Sequence, residues 1–428
     1  MREAVILAAG YGKGLEPITH TRHKVLTPII DKPIIEHQLN MLREVGVTRA
    51  IIVVNYLRSQ VEAFLRRYAE SAGMDYVVVD QGKPMGTAHA LSKAIEHVRD
   101  ESFLLIYGDV FTDVDGIRAV AASAPSIGVA RVLNPKDFGV IVMKGRMLKE
   151  IIEKPENPPS DLVNAGVYAL PTEIVRWVDK VEVSERGELE LTDALSSYAS
   201  RNPLKVVELN NWFDVGRPWA VLEVNKWLMS KEVRRAEIKG EVEGNVKIRG
   251  PVILEKGATL RAGSYVVGPA YIGHEADVGP NAYIRPYTVI MEGAKIGFNV
   301  EVKESIILEH AHVAHQAYVG DSIIGEESNL GAGSILANLR FDGKPVPVTI
   351  KGKRVTSGRR KLGAFIGGHV KTGVNVSTYP GVKIGAYSWI NPGLTVKKDV
   401  PPCTHLVAEE VLRDVKGECM VDLSVWRP

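Results

Sequence analysis

A six-residue period in the second half of the chain limits what that half can fold into. From Val242 onward an aliphatic residue stands at every sixth position, through Leu308. Neither the period of about 3.6 of a helix nor the period of about 2 of a strand produces this spacing, whereas a coil with three six-residue sides per turn points every sixth residue inward. The sequence therefore predicts a parallel β-helix over residues 242–400. The aliphatic positions are Val242, Ile248, Leu254, Leu260, Val266, Ile272, Val278, Ile284, Ile290, Ile296, Val302 and Leu308.

Two stretches interrupt this period. The register shifts near residues 314–320, and the period resumes with Ile324-Gly325 and later with Ile366-Gly367. Residues 339–361 do not follow it and are predicted to form a loop that leaves the coil. The loop carries a cluster of basic side chains, which is either solvated charge or a phosphate-binding patch. Its basic residues from 351 onward are Lys351, Lys353, Arg354, Arg359, Arg360 and Lys361.

Residues 1–230 follow a different rule. Apolar strand-like runs alternate with helix-period stretches, which predicts an α/β domain with a Rossmann-like parallel sheet. Within residues 34–45, for example, Ile35, Leu39 and Leu42 share one helix face, and Gly46 follows as a C-terminal cap. Residues 231–241 are predicted to be a linker helix, and residues 401–428 a C-terminal tail.

Composition excludes several classes of protein. The chain has 428 residues, enough for two or three domains. Lys and Arg total 53 against 51 Asp and Glu, so no overall charge attracts nucleic acid or an anionic membrane. The two cysteines, Cys403 and Cys419, are interpreted as free thiols. Without a leader pattern or a long apolar run, we expect a cytoplasmic protein.

A glycine-rich turn follows the first apolar run. Leu7-Ala8-Ala9 is followed by glycines at 10, 12 and 14, which would present backbone N–H groups to a phosphate. The pattern is not the dinucleotide-binding fingerprint, because position 15 is Leu15 rather than glycine. A plain tight turn would have the same glycines, so the turn alone leaves both interpretations open.

Neighbouring motifs favour the phosphate. "LAAGYG", "PIT" and "HKVLTPIIDKP", then "QGKPMGTAHA" at 81–90 and "YGDV" at 107–110, resemble the ordered motifs of sugar-1-phosphate nucleotidylyltransferases. The resemblance implies that Gln81 and Gly86 read the pyrimidine edge of UTP or dTTP and that Lys24 is the catalytic cation. The nucleotide-binding residues that it implies are Leu7, Ala8, Ala9, Gly10, Gly12, Lys24, Gln81, Gly86 and Thr87.

The same resemblance implies a metal site and a sugar site. Asp109, and Asp214 in "NNWFDVG", would be the carboxylates that bind Mg²⁺. Transfer needs no protein nucleophile, because the sugar phosphate attacks the α-phosphorus in line and pyrophosphate leaves. The sugar-phosphate residues would be Gly139, Glu153, Lys154 and Asn164, with Glu153 and Asn164 on sugar hydroxyls.

The turn departs from the family pattern at one position. The family usually continues Gly-x-Gly-Thr-Arg, whereas this chain has Gly12-Lys13-Gly14 and lacks the arginine that clamps the triphosphate. Lys13 and Arg22 are the candidate substitutes. Without one, we expect nucleotidylyl transfer to be slower by about 10²- to 10³-fold, as when one positioned donor is lost.

Left-handed hexapeptide coils resemble a family of acyltransferases that bind acetyl-CoA between the subunits of a trimer. Residues 300–338 are similar to the acetyltransferase half of the bifunctional enzymes that make UDP-N-acetylglucosamine. The resemblance implies a homotrimer in which His315 is the general base toward the glucosamine amine, with Tyr318 beside the phosphate or sugar. The other substrate residues would be Arg285, Lys303, Asn329, Asn338 and Lys344, with Ala332 and Gly368 at acetyl-CoA.

Alternatives to these roles remain open at this point. His310, His312 and His315 could also be exposed coil residues or a metal site of the H-x-H type. The resemblance as a whole spans residue 1 to about 400 and implies an archaeal-type bifunctional sugar-1-phosphate nucleotidylyltransferase and amino-sugar-1-phosphate acetyltransferase. Its small-molecule substrates would be glucosamine-1-phosphate with acetyl-CoA, and N-acetylglucosamine-1-phosphate or glucose-1-phosphate with UTP or dTTP. The alternatives are an acetyltransferase whose N-terminal half only binds nucleotide, and a scaffold or regulatory protein.

Overall fold

The computed structural model describes residues 1–408, which form an N-terminal α/β domain and a C-terminal coil. Cys419 and residues 409–428 of the expected tail lie outside the described residues, and Cys403 is an exposed free thiol. No helix in the described part of the chain is both long and apolar enough to span a bilayer.

A nine-stranded sheet forms the centre of the N-terminal domain. Its strands, in spatial order, are Asp75–Asp80, Arg49–Val54, Glu3–Leu7, Ser102–Tyr107, Leu162–Pro171, Ser126–Arg131, Lys205–Glu208, Met147–Glu153 and Gly139–Lys144. The first four are mutually parallel, and Leu162–Pro171 runs antiparallel to both of its main neighbours. The carboxyl ends of the four parallel strands therefore meet at one edge, where ligands bind in open α/β sheets.

Within the described residues, the domain contains seven α-helices, the last of which packs toward the coil rather than on this sheet. They are α1 (Ile34–Glu44), α2 (Arg58–Ala72), α3 (Thr87–Ile95), α4 (Val114–Ala122), α5 (Val175–Val178), α6 (Leu191–Ala199) and α7 (Pro218–Glu232). Short 3₁₀ turns occupy Lys13–Leu15, Ile18–His20, Lys24–Leu26, Pro135–Asp137 and Thr172–Ile174. Two small ribbons pair Pro28–Ile29 with Lys32–Pro33 and Val110–Thr112 with Trp212–Asp214. The predicted face of α1 is buried, and Gly46 follows it at φ 94°.

The C-terminal half is a coil of three parallel sheets, which confirms the predicted β-helix. The first face comprises Glu237–Ile238, Val252–Leu254, Ala270–Ile272, Thr288–Ile290, Ile306–Ile307, Ile323–Ile324, Phe365–Ile366 and Lys383–Ile384. The second comprises Glu241–Val242, Thr259–Leu260, Asp277–Val278, Lys295–Phe298, His312–His315, Asn329–Leu330, Lys371–Thr372, Trp389–Ile390 and His405–Leu406. The third comprises Lys247–Arg249, Tyr265–Val267, Tyr283–Ile284, Glu301–Lys303, Tyr318–Gly320, Ile335–Leu336, Ser377–Thr378 and Thr395–Val396.

The register of the coil shifts earlier than the sequence predicted. Ile290 pairs with Ile272, eighteen residues before it, but with Ile307, only seventeen residues after it. This turn of the coil is one residue shorter at the corner that contains Glu304, which adopts φ 44°. Leu308 is therefore not a core position: it packs outside the coil, against the N-terminal domain. At the other end Val242 is 40 % exposed, because it lies in the first, incompletely covered turn.

The prediction of a linker helix at residues 231–241 is wrong. Helix α7 ends at Glu232, and Glu237–Ile238 already pairs in parallel with the next turn of the coil. The last buried apolar residue of this segment is Val233, which directly follows α7. Residues 234–241 contain one large apolar side chain, that of Ile238. Nothing in that stretch could bury a helix face, and the backbone pairs with the coil instead.

Residues 339–361 leave the coil between its strands Ile335–Leu336 and Phe365–Ile366. Leu339 and Lys361 close the base of the excursion through a β-bridge. Above it, Pro347–Ile350 and Lys353–Thr356 form an antiparallel hairpin, hereafter the hairpin.

One apolar cluster joins the domain to the coil. It contains Leu15, Phe111, Val215, Trp219 and Leu222 of the domain together with Val289, Leu308, Val346, Val348 and Phe365 of the coil and its excursion. Ion pairs border this cluster: Arg22 lies 2.6 Å from Glu309, and Lys226 lies 3.2 Å from Glu304. The two units therefore pack as one body through a dry centre and a charged border.

Two candidate active sites

The glycine-rich turn lies at the carboxyl end of the parallel strands. The N–H of Gly108 donates to Leu7 O at 2.9 Å, and the N–H of Gln81 donates to Val54 O at 2.9 Å, so the three sequence motifs meet at one edge. Gly12 adopts φ 68°, and a Cβ there would lie 2.8 Å from Thr19 Cγ2. The turn thus needs glycine both for its backbone angle and for its close approach to Thr19.

Lys24 is the buried cation of this edge. Its Nζ lies 2.9 Å from Asp109 Oδ2, and a Cβ on Gly10 would lie 3.5 Å from the same Nζ. A phosphate bound to the turn would therefore meet the Lys24 ammonium. The structure brings Lys24 together with Leu7, Ala8, Ala9, Gly10 and Gly12, and their binding of a nucleotide stays a prediction.

Two carboxylates stand beside Lys24. The N–H of Val215 donates to Asp109 O at 2.8 Å, which holds Asp214 next to Asp109. Burial and the charge of Asp109 raise the pKa of Asp214 to about 6. Burial also acts to raise the pKa of Asp109, but Lys24 outweighs it and holds that pKa below its usual value. Two neighbouring carboxylates suit Mg²⁺ as ligands. Because residues 1–408 contain no group of three protein ligands, phosphates and water would complete the coordination of the ion.

The residues expected at the base form a connected unit. Gln81 is buried, and its Nε2 donates to Gly86 O at 2.9 Å. Gly86 adopts φ 114°, and a Cβ there would lie 2.4 Å from Leu189 O, so only glycine fits. Thr87 Oγ1 accepts the N–H of Leu191 at 2.9 Å and thereby ties α3 to α6. Thr87 therefore has a structural role in addition to the expected nucleotide contact.

The residues expected at the sugar lie on three neighbouring strands. Glu153 pairs in register with Gly139, and a Cβ on Gly139 would lie 2.9 Å from Glu153 Oε2, so glycine lets the carboxylate lie across it. Asn164 Oδ1 accepts the Tyr168 hydroxyl at 2.8 Å. Lys154 Nζ lies 3.9 Å from Glu153 Oε1. The four predicted residues thus lie on, or directly after, strands that pair with one another.

Sequence reasoning missed a second partner of Glu153. Arg186, from the loop before α6, lies 2.9 Å from Glu153 Oε1 and 3.3 Å from Glu190 Oε1. Burial raises the pKa of Glu190, although Arg186 opposes that shift. The loop has no motif around Arg186, so no signal in the sequence could have placed it at the sugar end of the site.

The position that lacks the family's arginine is closed to any side chain. A Cβ on Gly14 would lie 2.3 Å from Gly216 O. Arg22, one of the two expected substitutes, is bound by Glu309 and Glu326 of the coil, so the structure contradicts that prediction. Lys13, the other, is exposed, with its Nζ 5.9 Å from the centroid of the Tyr11 ring.

A second group of predicted residues lies on the coil. His315 is exposed at the end of a second-face strand, where it pairs with Phe298, and its backbone O accepts the N–H of Gly333. Ala332 precedes Gly333 and is thus the neighbour of His315 in the next turn. Tyr318 opens the next strand on the third face. The imidazole and the phenol therefore flank one corner of the coil.

Carboxylates hold the cations expected at the sugar phosphate. Lys303 Nζ lies 2.8 Å from Oδ1 of the buried Asp321, and Arg285 lies 2.8 Å from Glu301. Asn338 Nδ2 donates to Asp321 at 2.6 Å and to the Tyr318 hydroxyl at 2.9 Å. Lys303, Asp321, Asn338 and Tyr318 thus form one network along the third face, and Glu301, the partner of Arg285, lies in register with Tyr318.

Three predicted residues fall apart from this network or at its border. Asn329 pairs with His312, three residues before His315 in the same strand. Lys344 lies exposed in the excursion. Gly368 is buried, and a Cβ there would lie 2.9 Å from Thr21 Oγ1, so Gly368 is a contact with the N-terminal domain rather than part of an open acetyl-CoA cleft. The H-x-H alternative finds no third metal ligand within the described residues.

Comparisons with known proteins fit this two-site layout. The family model "Nucleotidyl transferase" matches residues 3–231, and the model "GMPPB C-terminal domain" matches residues 266–360. The chain is 48 % identical over 402 residues to a protein of Sulfurisphaera tokodaii named bifunctional sugar-1-phosphate nucleotidylyltransferase/acetyltransferase, covering 93 % of this chain and 98 % of that one. It is 42 % identical over 412 residues to a Methanocaldococcus jannaschii protein named bifunctional protein GlmU, covering 96 % and 98 %. A Streptomyces griseus protein named glucose-1-phosphate thymidylyltransferase is 32 % identical over 332 residues, covering 76 % and 92 %.

Proposed function

The chain belongs to the family of bifunctional sugar-1-phosphate nucleotidylyltransferase/acetyltransferase enzymes, and from this premise we propose two reactions for it. The coil transfers the acetyl group of acetyl-CoA to the amine of glucosamine-1-phosphate. The N-terminal domain transfers a uridylyl group from UTP to N-acetylglucosamine-1-phosphate, with dTTP and glucose-1-phosphate as parallel substrates.

The cluster of Lys24, Asp109 and Asp214 carries the first part of this proposal. The glycine turn and Lys24 bind the triphosphate, Gln81 and Gly86 orient the base, and Glu153 and Asn164 hold the sugar. A sugar-phosphate oxygen then attacks the α-phosphorus in line, and pyrophosphate leaves. Mg²⁺, held by Asp109 and Asp214 when bound, supplies positive charge to the phosphates.

The exposed imidazole of His315 carries the second part. As the glucosamine amine attacks the thioester carbonyl, His315 accepts its proton, a new C–N bond forms, and the C–S bond to coenzyme A breaks. Tyr318 and Asn338 stand one corner away, where they reach the sugar. Lys303 and Arg285 bind the 1-phosphate by exchanging their present carboxylate partners for it.

A homotrimer would complete the coil site. Several large apolar side chains of the second and third faces are exposed, among them Phe298 at 39 % and Trp389 at 57 %. Packing them against a neighbouring coil would leave His315 at the seam, where acetyl-CoA binds next to Ala332. Light scattering of the purified chain tests this: a monomer at working concentrations contradicts the trimer.

An activity panel tests both reactions. Pyrophosphate release is measured with UTP and dTTP against glucose-1-phosphate and N-acetylglucosamine-1-phosphate, and CoA release with glucosamine-1-phosphate and acetyl-CoA. We expect both products from the wild-type chain. CoA release without pyrophosphate release would favour the alternative in which the N-terminal half only binds nucleotide, and absence of both would favour the scaffold. Gly14→Arg is unsuitable as a probe, because Gly216 blocks that position.

A further inference from the structure

The carboxylate of Asp321 is the most deeply buried charge in the network on the third face of the coil. Its side chain is 1 % exposed, compared with 16 % for Lys303. Lys303 Nζ donates to both of its oxygens, at 2.8 and 2.9 Å, and Asn338 Nδ2 donates to Oδ2 at 2.6 Å. A carboxylate so enclosed needs a cation, because little water can reach it. Lys303 is therefore bound to Asp321 rather than free for a substrate.

The proposed acetyl transfer requires Lys303 to leave Asp321 for the 1-phosphate of the amino sugar. If Lys303 were the sole cation of that carboxylate, its departure would leave a buried negative charge unpaired, which costs more than one phosphate contact supplies. The incoming phosphate would also bring further negative charge close to Asp321. Phosphate binding at Lys303 therefore needs another cation that stays with Asp321.

Arg359, in the excursion, is placed to be that cation. Its Nη2 lies 3.4 Å from Asp321 Oδ1 and also pairs with Glu304, and its side chain is 14 % exposed. The planar guanidinium carries several N–H donors, so it can serve two carboxylates at once. The backbone around it is fixed, because Arg359 O accepts the N–H of Val346 at 2.8 Å and the Ser357 hydroxyl donates to Val346 O at 2.6 Å. The excursion thus holds the guanidinium at the network.

Glu304 has a second cation of its own. Lys226 of α7 lies 3.2 Å from Glu304 Oε2, whereas Arg359 binds Oε1. Arg359 can therefore strengthen its contact with Asp321 without leaving Glu304 unpaired. Each of the two buried carboxylates keeps a cation when Lys303 leaves.

Asn338 connects Asp321 to the residues expected at the sugar. Its Nδ2 lies 2.9 Å from the Tyr318 hydroxyl oxygen and also donates to Asp321. Gly320 gives these groups room, since a Cβ there would lie 2.4 Å from that hydroxyl and 2.7 Å from Asn338 Nδ2, and Gly320 pairs in register with Lys303. One carboxylate therefore links the arginine of the excursion to the expected substrate contacts.

We propose that Arg359 is a positioning residue of the acetyl-transfer site, a role that rests on the proposed function of the coil. Arg359 acts through Asp321 and does not itself touch the substrate. When Lys303 binds the 1-phosphate, Arg359 keeps Asp321 neutralised, so the exchange of partners leaves no buried charge unpaired. Arg359 thereby sets the affinity of the coil for the phosphorylated amino sugar.

Arg359→Met tests the proposal, with Arg360→Met, at the exposed neighbouring position, as the matched control. CoA release from the full-length variants is measured against the concentrations of glucosamine-1-phosphate and acetyl-CoA, and binding of glucosamine-1-phosphate is measured by calorimetry. Because Lys303 would then stay on Asp321, we expect the KM and Kd for glucosamine-1-phosphate to rise by about 10- to 100-fold in Arg359→Met. The kcat and the KM for acetyl-CoA should stay within about 3-fold of the wild type. Arg359→Lys should give an intermediate KM, and Arg360→Met should match the wild type.

A second substitution distinguishes positioning from a merely structural role. Asp321→Asn removes the charge that holds Lys303, so in the Arg359→Met background it should return the KM for glucosamine-1-phosphate to within about 5-fold of the wild type. On its own, Asp321→Asn should lower that KM by about 2- to 5-fold. A network that only supported the fold would lose more from two substitutions than from one.

The outcomes separate this inference from the proposed function. If Arg359→Met leaves the KM for glucosamine-1-phosphate unchanged, or Arg360→Met raises it equally, the role of Arg359 is overturned while acetyl transfer stands. If Arg359→Met does not fold, Asp321→Asn alone decides: a raised KM would mean that Asp321 orients Lys303 for the substrate, which also overturns the proposal. If the wild type neither binds glucosamine-1-phosphate nor releases CoA, the proposed acetyl transfer fails and this inference fails with it.

Discussion

The N-terminal domain and the coil position their chemical groups in opposite ways. The domain buries its groups: Lys24 and Gln81 are nearly inaccessible and are held by partners from the same chain. The coil buries its aliphatic core and exposes His315 at an outer corner, with Tyr318 partly buried beside it and Lys303 paired with Asp321. The predicted residues of the domain are therefore enclosed within one chain, whereas the predicted imidazole of the coil lies open at the surface of that chain. The two sites should respond independently to substitution.

The largest effect is expected at the imidazole of the coil. His315→Ala removes the proposed proton acceptor and should lower the rate of CoA release by about 10³-fold, within the range for loss of a general base. Pyrophosphate release should stay at the wild-type level, because His315 lies on the coil face away from the N-terminal domain's cluster. Steady-state rates of both products measure this.

A second histidine serves as the control for that experiment. His312 lies in the same strand but not at the corner of the coil, and it pairs with Asn329 of the next turn. His312→Ala should change CoA release by less than about 3-fold, a shift of well under 1 kcal/mol in activation free energy. Equal losses in the two variants would contradict a specific role for His315.

The next largest effect is expected on pyrophosphate release rather than on CoA release. Lys24→Met removes the cation between the glycine turn and Asp109 and should lower pyrophosphate release by about 10²-fold. CoA release should be unaffected, because Lys24 has no contact with the coil's network. A parallel loss of both activities would show that the domains are coupled and would contradict the independence of the two sites.

A smaller effect concerns stability. The pKa of Asp214 is raised to about 6, so the folded state loses stability relative to the unfolded state as pH rises from the usual aspartate value through 6. Asp214→Asn should therefore raise the melting temperature at about pH 8 by roughly 2–4 °C, the equivalent of about 1 kcal/mol, and have little effect below about pH 4. Differential scanning fluorimetry across pH measures this.

Magnesium provides the control for the stability effect. Excess Mg²⁺ should raise the melting temperature of the wild type, because it relieves the repulsion between Asp109 and Asp214, and should affect Asp214→Asn less. A wild type that is more stable than Asp214→Asn at about pH 8 without metal would contradict the strained carboxylate pair.

The sequence predicted the elements that depend on local pattern. The six-residue period predicted the coil because most inward positions of a stacked turn are aliphatic, as Ile272 and Ile290 are. The sequence also predicted that three motifs lie together, namely the glycine turn, "QGKPMG" and "YGDV". Each follows a parallel strand, and the carboxyl ends of parallel strands share an edge. Both inferences needed only short stretches of chain.

Contacts between distant segments were beyond sequence reasoning. Arg22 is drawn away from the nucleotide by Glu309, 287 residues later, and Gly368 is covered by Thr21. The hairpin's approach to Leu15 and Val215 likewise follows from how the two domains pack. Leu308 continued the period by coincidence, because the coil had already lost one residue at Glu304. No local pattern encodes any of these.

The smallest effect is expected at the first turn of the coil, where the period alone would predict a core position. Val242 is 40 % exposed, so Val242→Ala should change the free energy of unfolding by less than about 0.5 kcal/mol. Ile290 satisfies the same period but is fully buried between two turns, and Ile290→Ala should cost about 2–5 kcal/mol. Denaturant titration of both variants measures the difference. Because a stacked coil sums contributions from neighbouring turns, equal costs at the two positions would mean that the first turn is covered by another part of the protein in solution.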